Sequence, residues 1–370
     1  MTALALLALA CWAYLLAGHG RFWQSGPSLA PAHPASSPAV DVVVPARDEA
    51  EGVGQCLRSL LSQEYSGGLR IILVDDGSSD STGAIARGLA DPRLTVIDGQ
   101  PRPAGWSGKL WAVQQGVART TAPFVLLCDA DIVHDPAHVA TLVAQAERGG
   151  LDLVSEMVAL NCASWAERAL VPAFVFFFQL LYPFAWVNDP LRKTAAAAGG
   201  TVLLHRRALQ RIGGIEAVRG ALIDDVALAT VVKRGGRIWL GHSRLARSIR
   251  PYPHPGDIWR MVARTAYVQL RFSPALLIAT IFGLALVWLV PPAAALFGHG
   301  LARWAGLAAW IGAMASYMPT LRRFHQSLAW AVILPLVAVF YMAATVGSAV
   351  DHHRGRGVMW KRRAYQGEGI

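Results

Sequence analysis

Short apolar runs that end in charge or proline, separated by helix-period segments, constrain the fold of this chain more than any other feature. Val40-Asp-Val-Val-Val-Pro45 is the first, followed by a helical pattern through Cys56, Leu57, Leu60 and Leu61. Leu69-Arg-Ile-Ile-Leu-Val74 runs into Asp75-Asp-Gly-Ser-Ser-Asp80, and a helical stretch to about Leu89 leads to Leu94-Thr-Val-Ile97. The fourth run is Phe124-Val-Leu-Leu-Cys-Asp-Ala-Asp131. Strands alternating with helices predict a mainly parallel sheet covered on both faces. Ligands of such sheets bind outside the carboxyl ends of the strands. Pro45, Asp75-Asp76 and Asp129-Asp131 all fall at those ends.

In an extended chain the side-chain period is two, so Asp129 and Asp131 point to the same side. Two like charges side by side repel unless a cation or water separates them. A divalent cation that also holds a phosphate meets this condition; solvated turn aspartates at a strand end are the alternative. Gly105-Trp-Ser-Gly-Lys109 precedes a helix from Leu110 to Val117. Glycine before lysine at a helix start suits an anion, because free N–H groups, the positive dipole end and a point charge converge. The P-loop spacing is absent, and a solvated helix-start lysine fits the same residues. Ala221-Leu-Ile-Asp-Asp225 places two carboxylates at another helix start, where capping is one role for them.

The set Val43-Val-Pro-Ala-Arg-Asp-Glu49, Val74-Asp-Asp-Gly-Ser-Ser-Asp-Ser-Thr82, Gly108-Lys109, Asp129-Ala-Asp131 and Ile223-Asp-Asp225 resembles family 2 glycosyltransferases of the A-type nucleotide-sugar fold. The likeness covers about residues 40–250. With its apolar ends the chain looks most like the hopene-associated glycosyltransferases, relatives of the ceramide glucosyltransferases. The resemblance implies an α/β, Rossmann-like domain with N- and C-terminal transmembrane helices. It also implies a nucleotide-sugar donor, UDP-linked, and Mg²⁺ or Mn²⁺. Pro45 and Glu49 would lie along the nucleoside, and Asp76 would accept a hydrogen bond from the base. Asp129 would face ribose and metal, with Asp131 the firmer metal ligand, and Lys109 would neutralise the diphosphate. Asp225 would be the general base of an inverting transfer, with Asp224 shaping the helix start or orienting the acceptor. Arg47 stands where the family often has an aromatic residue, and Asp48 where it often has asparagine.

Two further stretches echo the family. Ala195-Ala-Ala-Ala-Gly-Gly200 would let substrate approach the backbone closely, although a packed helix or strand reads the same way. Arg260 and Arg264 lie one helical turn apart in an echo of the (Q/R)-x-x-R-W signature, with Thr265 in place of the tryptophan. Arg264 suits a diphosphate contact there, and an interfacial helix with basic residues suits the sequence equally.

Among 370 residues, 54% are hydrophobic and 16% charged, too apolar for a purely soluble protein of this size. The excess sits at 2–18 and from about 274 to 349. No Lys or Arg precedes the first run and Arg21 follows it, the opposite of a secretory signal, so an uncleaved anchor with its N-terminus outside is expected. Residues 1–20 thus read as anchor, 21–39 as a Pro/Ser/Ala-rich linker, 40–250 as the transferase domain, and 251–273 as an interfacial helix. A transmembrane region follows at 274–350, then a basic cytoplasmic tail at 351–370. Apolar runs at about 275–297, 304–318 and 328–349 put that tail in the cytoplasm if the middle run lies in the interface. The aromatic stretch 171–187 reads as dipping into the membrane interface, with a buried core helix as the alternative. The net charge of +10 suits anionic headgroups or phosphate-bearing substrates and does not indicate nucleic acid. The four cysteines are far apart without a C-x-x-C pair, which implies neither a disulfide framework nor a zinc site.

Anchors at both ends of a catalytic block point to a lipid acceptor, a hopanoid by the resemblance, at the bacterial inner membrane with the catalytic domain cytoplasmic. Transfer to a polyprenyl phosphate carrier, or a nucleotidyltransferase of similar fold, is the alternative.

Overall fold

In the computed structural model, residues 1–355 are described, with the backbone of 359–360 and 363–364. The expected basic tail otherwise lies outside the described residues. The described chain divides into two units: one of residues 27–161 and 186–251, and one of residues 1–26, 162–185 and 252–355.

The first unit is built on an eight-stranded sheet. Its strands are β1 (Val40–Ala46), β2 (Leu69–Asp75), β3 (Leu94–Asp98), β4 (Phe124–Cys128), β5 (Ile132–His134), β6 (Leu153–Ala159), β7 (Thr201–His205) and β8 (Ile238–Ser248), in the spatial order β3-β2-β1-β4-β7-β6-β8-β5. The pairs β1–β2, β2–β3, β1–β4 and β6–β8 are parallel. β7 runs antiparallel to β4 and β6, and β5 antiparallel to β8. The expected mainly parallel sheet is present, with these two reversed strands that the alternation of runs does not announce.

β1 is buried along its whole length and β2 over its last five residues, the burial of a sheet covered on both faces. The chain leaves β1 towards β2 on one side, while β4 lies on the other. Strand order reverses there, and the crevice outside a reversal is where α/β sheets take ligands. β1 keeps register with β2 through Ala46 but leaves β4 after Val43. Pro45, which has no N–H to donate, sits in the stretch that leaves. Of the expected linker 21–39, residues 27–39 belong to this unit and run irregularly along the helix His138–Gly149. Ala32 N–H donates to Thr141 Oγ1 (3.1 Å) and Ala35 N–H to Glu147 Oε2 (2.8 Å).

The second unit is helical, and residues 162–185, inside the expected transferase block, belong to it. Pro274–Phe297 and Leu328–His353 are long and apolar enough to cross a membrane. Thr2–Ala17 is shorter, and Gly300–Arg323 contains Pro319. Within Pro274–Phe297 the turn Ala285–Leu289 widens to a π-helix just before Pro291-Pro292. In a regular helix the residue-291 N–H would bond the Val287 carbonyl. Proline has none, and Trp12 Nε1–H donates to Val287 O instead, at 2.9 Å. In apolar surroundings a freed carbonyl needs such a partner. The stretch 171–187 is helical through Leu181. Phe176 is fully buried against Phe22, Trp288 and Tyr317, and the Tyr341 hydroxyl donates to Leu170 O at 2.8 Å. Part of this stretch is thus packed inside the helical unit, while Leu181 at the helix end is exposed.

Candidate active site

Strand direction gathers the site on one edge of the sheet. β1, β2, β4, β6 and β8 all point the same way, so residues just after them share an edge: Asp76, Asp129 and Arg250. The reversed strands begin where the others end, which brings Asp131, before β5, and Gly199, before β7, to the same edge. Asp129 N–H donates to Gly200 O at 3.3 Å.

Hydrogen bonds from short side chains stitch the loops after β1 and β2 together. Asp48, in the left-handed region at φ 49°, accepts from Ser79 N–H at 2.7 Å, and Glu49 N–H donates to Thr82 Oγ1 at 2.8 Å. Asp75 accepts from Ser78 N–H at 2.9 Å. Arg47 donates to the Asp76 carbonyl, with its guanidinium 3.6 Å from the buried Asp76 carboxylate. Where the family often has an aromatic, this chain thus has a cation that holds the acid expected to read the base.

Lys109 is the second residue of the helix Gly108–Val117, whose N-cap Ser107 accepts from Leu110 N–H. Its ammonium lies 2.8 Å from Asp129 Oδ1 and 3.2 Å from Asp224 Oδ2. Asp224 and Asp225 open the helix Asp224–Lys233, but the N-cap is Ile223, which makes no side-chain cap bond. Asp224 is therefore turned to Lys109 rather than used as the N-cap. A Cβ added at Gly199 would sit 3.3 Å from Asp225 Oδ2 and 3.4 Å from Lys109 Nζ. This glycine is what lets acid and amine meet against the main chain.

The electrostatics follow from this crowding. Burial, then the neighbouring Asp224, pushes the Asp225 carboxyl up to about 7, with Lys109 opposing. Burial also raises Asp129, opposed by Lys109 and reinforced by Asp131. Lys109 loses solvation, yet Asp129, Asp224 and Asp225 outweigh this and hold it charged. An acid lifted to near neutrality by burial beside a charged amine is the kind of perturbed group that acid–base chemistry uses.

Arg250, which no motif marks, is the principal residue missed in the sequence. It donates to both oxygens of Glu49 (2.7 and 2.9 Å) and to Asp131 Oδ2 (2.8 Å). Its position just past β8 on an acid-lined edge was the one available signal. Of the expected site residues, Glu49, Asp131, Lys109, Asp129, Asp224 and Asp225 thus fall into two linked charge clusters, with Asp76 and Pro45 at neighbouring strand ends. Arg264 belongs to the helical unit, where it is exposed at the end of the helix Pro255–Ala263. The donor set fits a hard divalent cation. Glu49, Asp129, Asp131, Asp224 and Asp225 outnumber Lys109 and Arg250, and carboxylate oxygens are what Mg²⁺ and Mn²⁺ take.

Residues 41–213 match the family model "Glycosyl transferase family 2". Over 94 residues the chain is 31% identical to the 4,4'-diaponeurosporenoate glycosyltransferase of Staphylococcus aureus, which is 25% of this chain and 24% of the relative. The match thus spans about a quarter of that relative's length. Among solved structures, a mannosyltransferase from Pyrobaculum calidifontis in complex with GDP-Man and Mn²⁺ superposes with a TM-score of 0.59 at 20% identity, covering 98% of this chain and 99% of that one. The shared fold is an A-type glycosyltransferase fold.

Proposed function

We propose that this chain, which carries a family 2 glycosyltransferase domain at residues 41–213, transfers a sugar from a nucleotide-sugar donor to a membrane lipid with inversion at the anomeric carbon. The observation that carries the reading is Asp225, an acid with its carboxyl near neutrality, held against Gly199 beside Lys109. A hydroxyl is a weak nucleophile, and a general base works best when its pKa lies near the working pH. Asp225 takes the acceptor hydroxyl proton as that oxygen bonds to the anomeric carbon. The bond from this carbon to the donor diphosphate breaks, and its electron pair leaves on the diphosphate oxygen. One displacement inverts the centre.

Lys109 stands beside the departing charge, and Asp224 together with Asp129 keeps the amine in place. Asp129 and Asp131 would hold a Mg²⁺ or Mn²⁺ ion, which when bound offsets the charge building on the diphosphate. Glu49, Asp76 and Pro45 line the nucleoside side, UDP by the resemblance. Arg250, paired with Glu49 and Asp131, occupies the cationic position until a charged ligand rearranges that cluster. Arg264 remains a candidate diphosphate contact.

A lipid acceptor is supported by the two membrane-length helices and by a relative named for 4,4'-diaponeurosporenoate; a hopanoid is the acceptor that the resemblance favours. Membranes containing the protein, incubated with radiolabelled nucleotide sugars and then extracted, should carry label into the lipid phase. Retention of all label in the aqueous phase for every donor would remove the transferase reading. Label in an acid-labile lipid phosphate would identify a polyprenyl phosphate acceptor instead. Mass spectrometry of the labelled lipid then tests the hopanoid assignment.

A further inference from the structure

Behind the strand end that carries Asp129, three side chains that bind soft metals converge, and the transfer reaction uses none of them. Cys56 comes from the helix Val53–Leu61, Cys128 is the last residue of β4, and His134 is the last residue of β5. One ligand atom from each lies within 4.8 Å of the others. The residues are 0%, 1% and 4% exposed. His134 Nε2 is 3.0 Å from Cys128 Sγ.

The hydrogen-bond chain behind His134 bears on which of its nitrogens carries the proton. Glu156, also buried, accepts from Ser243 Oγ at 2.9 Å, and its Oε2 lies 2.9 Å from His138 Nε2. With Glu156 as the carboxylate, which has no proton to give, His138 Nε2 donates and its Nδ1 carries a lone pair. His138 Nδ1 is 2.8 Å from His134 Nδ1, which therefore donates in turn. His134 Nε2 is left as a bare lone pair aimed at Cys128. Metal-binding histidines are oriented in this way, the far nitrogen donating towards a carboxylate while the near one coordinates. Here a second imidazole extends the chain by one link.

We propose that Cys56, Cys128 and His134 form a binding site for a zinc-class ion, which fastens the helix Val53–Leu61 to the ends of β4 and β5. The Asp129 carbonyl oxygen lies beside both sulfurs, 3.2 Å from Cys128 Sγ and 3.6 Å from Cys56 Sγ. Thiolate and imidazole select zinc-class ions, while carboxylates select Mg²⁺ and Mn²⁺. The two sites thus sort their metals by ligand chemistry. Binding converts both thiols to thiolates and releases their two protons to solvent. The ion would fix the main chain at Asp129 without touching substrate.

The test uses the full chain in detergent, stripped with chelator, kept under a thiol reductant and supplied with excess Mg²⁺ to fill the carboxylate site. Titration with Co²⁺ should give a thiolate-to-cobalt charge-transfer band and tetrahedral visible absorption that saturate at one ion per chain. Zn²⁺ should bleach both. Cys56→Ser and Cys128→Ser should each lose the charge-transfer intensity of one thiolate. Glu156→Gln keeps every ligand and should weaken Co²⁺ binding about 10- to 100-fold. A colourless wild-type protein would overturn the site, and that measurement needs no variant to fold. So would a spectrum unchanged in both serine variants. A Cys56–Cys128 disulfide that persists in the protein under reductant, seen by mass spectrometry, would also overturn it.

Discussion

The two sides of the sheet edge handle their charges in opposite ways. Past β1 and β2, acids bond to neighbours a few residues away or to the adjacent loop: Asp75 with Ser78, Asp80 with Thr82, Asp48 with Ser79. Past β4, β7 and β8, Asp129 and Asp224 share Lys109, and Asp131 takes Arg250, which also reaches across to Glu49 in the loop after β1. Short hydrogen bonds within and between these two loops brace the first region into a cradle, with Arg47 on Asp76 and Arg250 on Glu49 as its ion pairs. Long-range pairs make a cluster that exists only once the sheet is assembled, and whose partners can be exchanged for a charged ligand. In the proposed function, donor binding belongs to the first region and the proton transfer to the second.

The sharpest way to break this comparison is to neutralise the reacting cluster while leaving its shape. Asp225→Asn should lower kcat about 10²- to 10⁴-fold, the usual contribution of a positioned base, measured as label transferred to lipid at saturating donor. The pH profile gives the sign independently. With the Asp225 carboxyl at about 7, wild-type kcat/KM should fall about tenfold per pH unit below that value. Stability should move the other way. A carboxyl whose pKa is raised by folding binds its proton more readily in the native state, so stability falls as pH rises from about 4 to 7. At pH 8 the ionised acid is a full burden that Asn lacks. The inactive Asp225→Asn protein should therefore melt at a higher temperature than wild type at pH 8, and at a similar one at pH 4.

Lys109→Met tests the cation side. It should reduce kcat about 10²- to 10³-fold, the scale for removing one group that stabilises developing charge. If both substitutions changed only KM, the distinction between cradle and reacting cluster would be wrong.

The difference between the two regions also explains how much the sequence disclosed. Strands β1 to β4 and their terminal acids were legible because period, turn residues and acids are all within a few positions of each other. The pairing of Lys109 with Asp129 and Asp224 was expected only as convergent roles. Arg250 was invisible, since its partners Glu49 and Asp131 lie far back in the chain and its neighbourhood, Ser-Ile-Arg-Pro, has no pattern. Cys56, Cys128 and His134 were passed over for the same reason. Metal spacing rules describe ligands on one loop or helix, whereas these come from a helix and two strands. The reversed strands β5 and β7, which place Asp131 and Gly199, are likewise set by tertiary pairing.

Arg250→Gln addresses the cluster that sequence did not reveal. In the free protein its guanidinium competes with any cation for Asp131. Removing one charge from a partly exposed pair should tighten Mn²⁺ binding about tenfold in the absence of donor, a change on the order of 1 kcal/mol. Calorimetric titration reads it directly. An unchanged affinity would mean that Asp131 does not hold the ion.

The smallest expected effect comes from Gly199→Ala, and it isolates geometry from charge. The added methyl would stand 3.3 Å from Asp225 Oδ2 and 3.4 Å from Lys109 Nζ, closer than side-chain atoms prefer but against the mobile ends of both. No charge is lost, and the donor cradle past β1 and β2 is untouched. The acid and amine should each shift by a few tenths of an ångström. Since about 1 Å of misplacement can cost about 10²-fold in rate, a shift of this size predicts a fall in kcat of about three- to tenfold with an unchanged donor KM. A matching rise in donor KM would place Gly199 on the cradle side of the edge and move the boundary between the two regions.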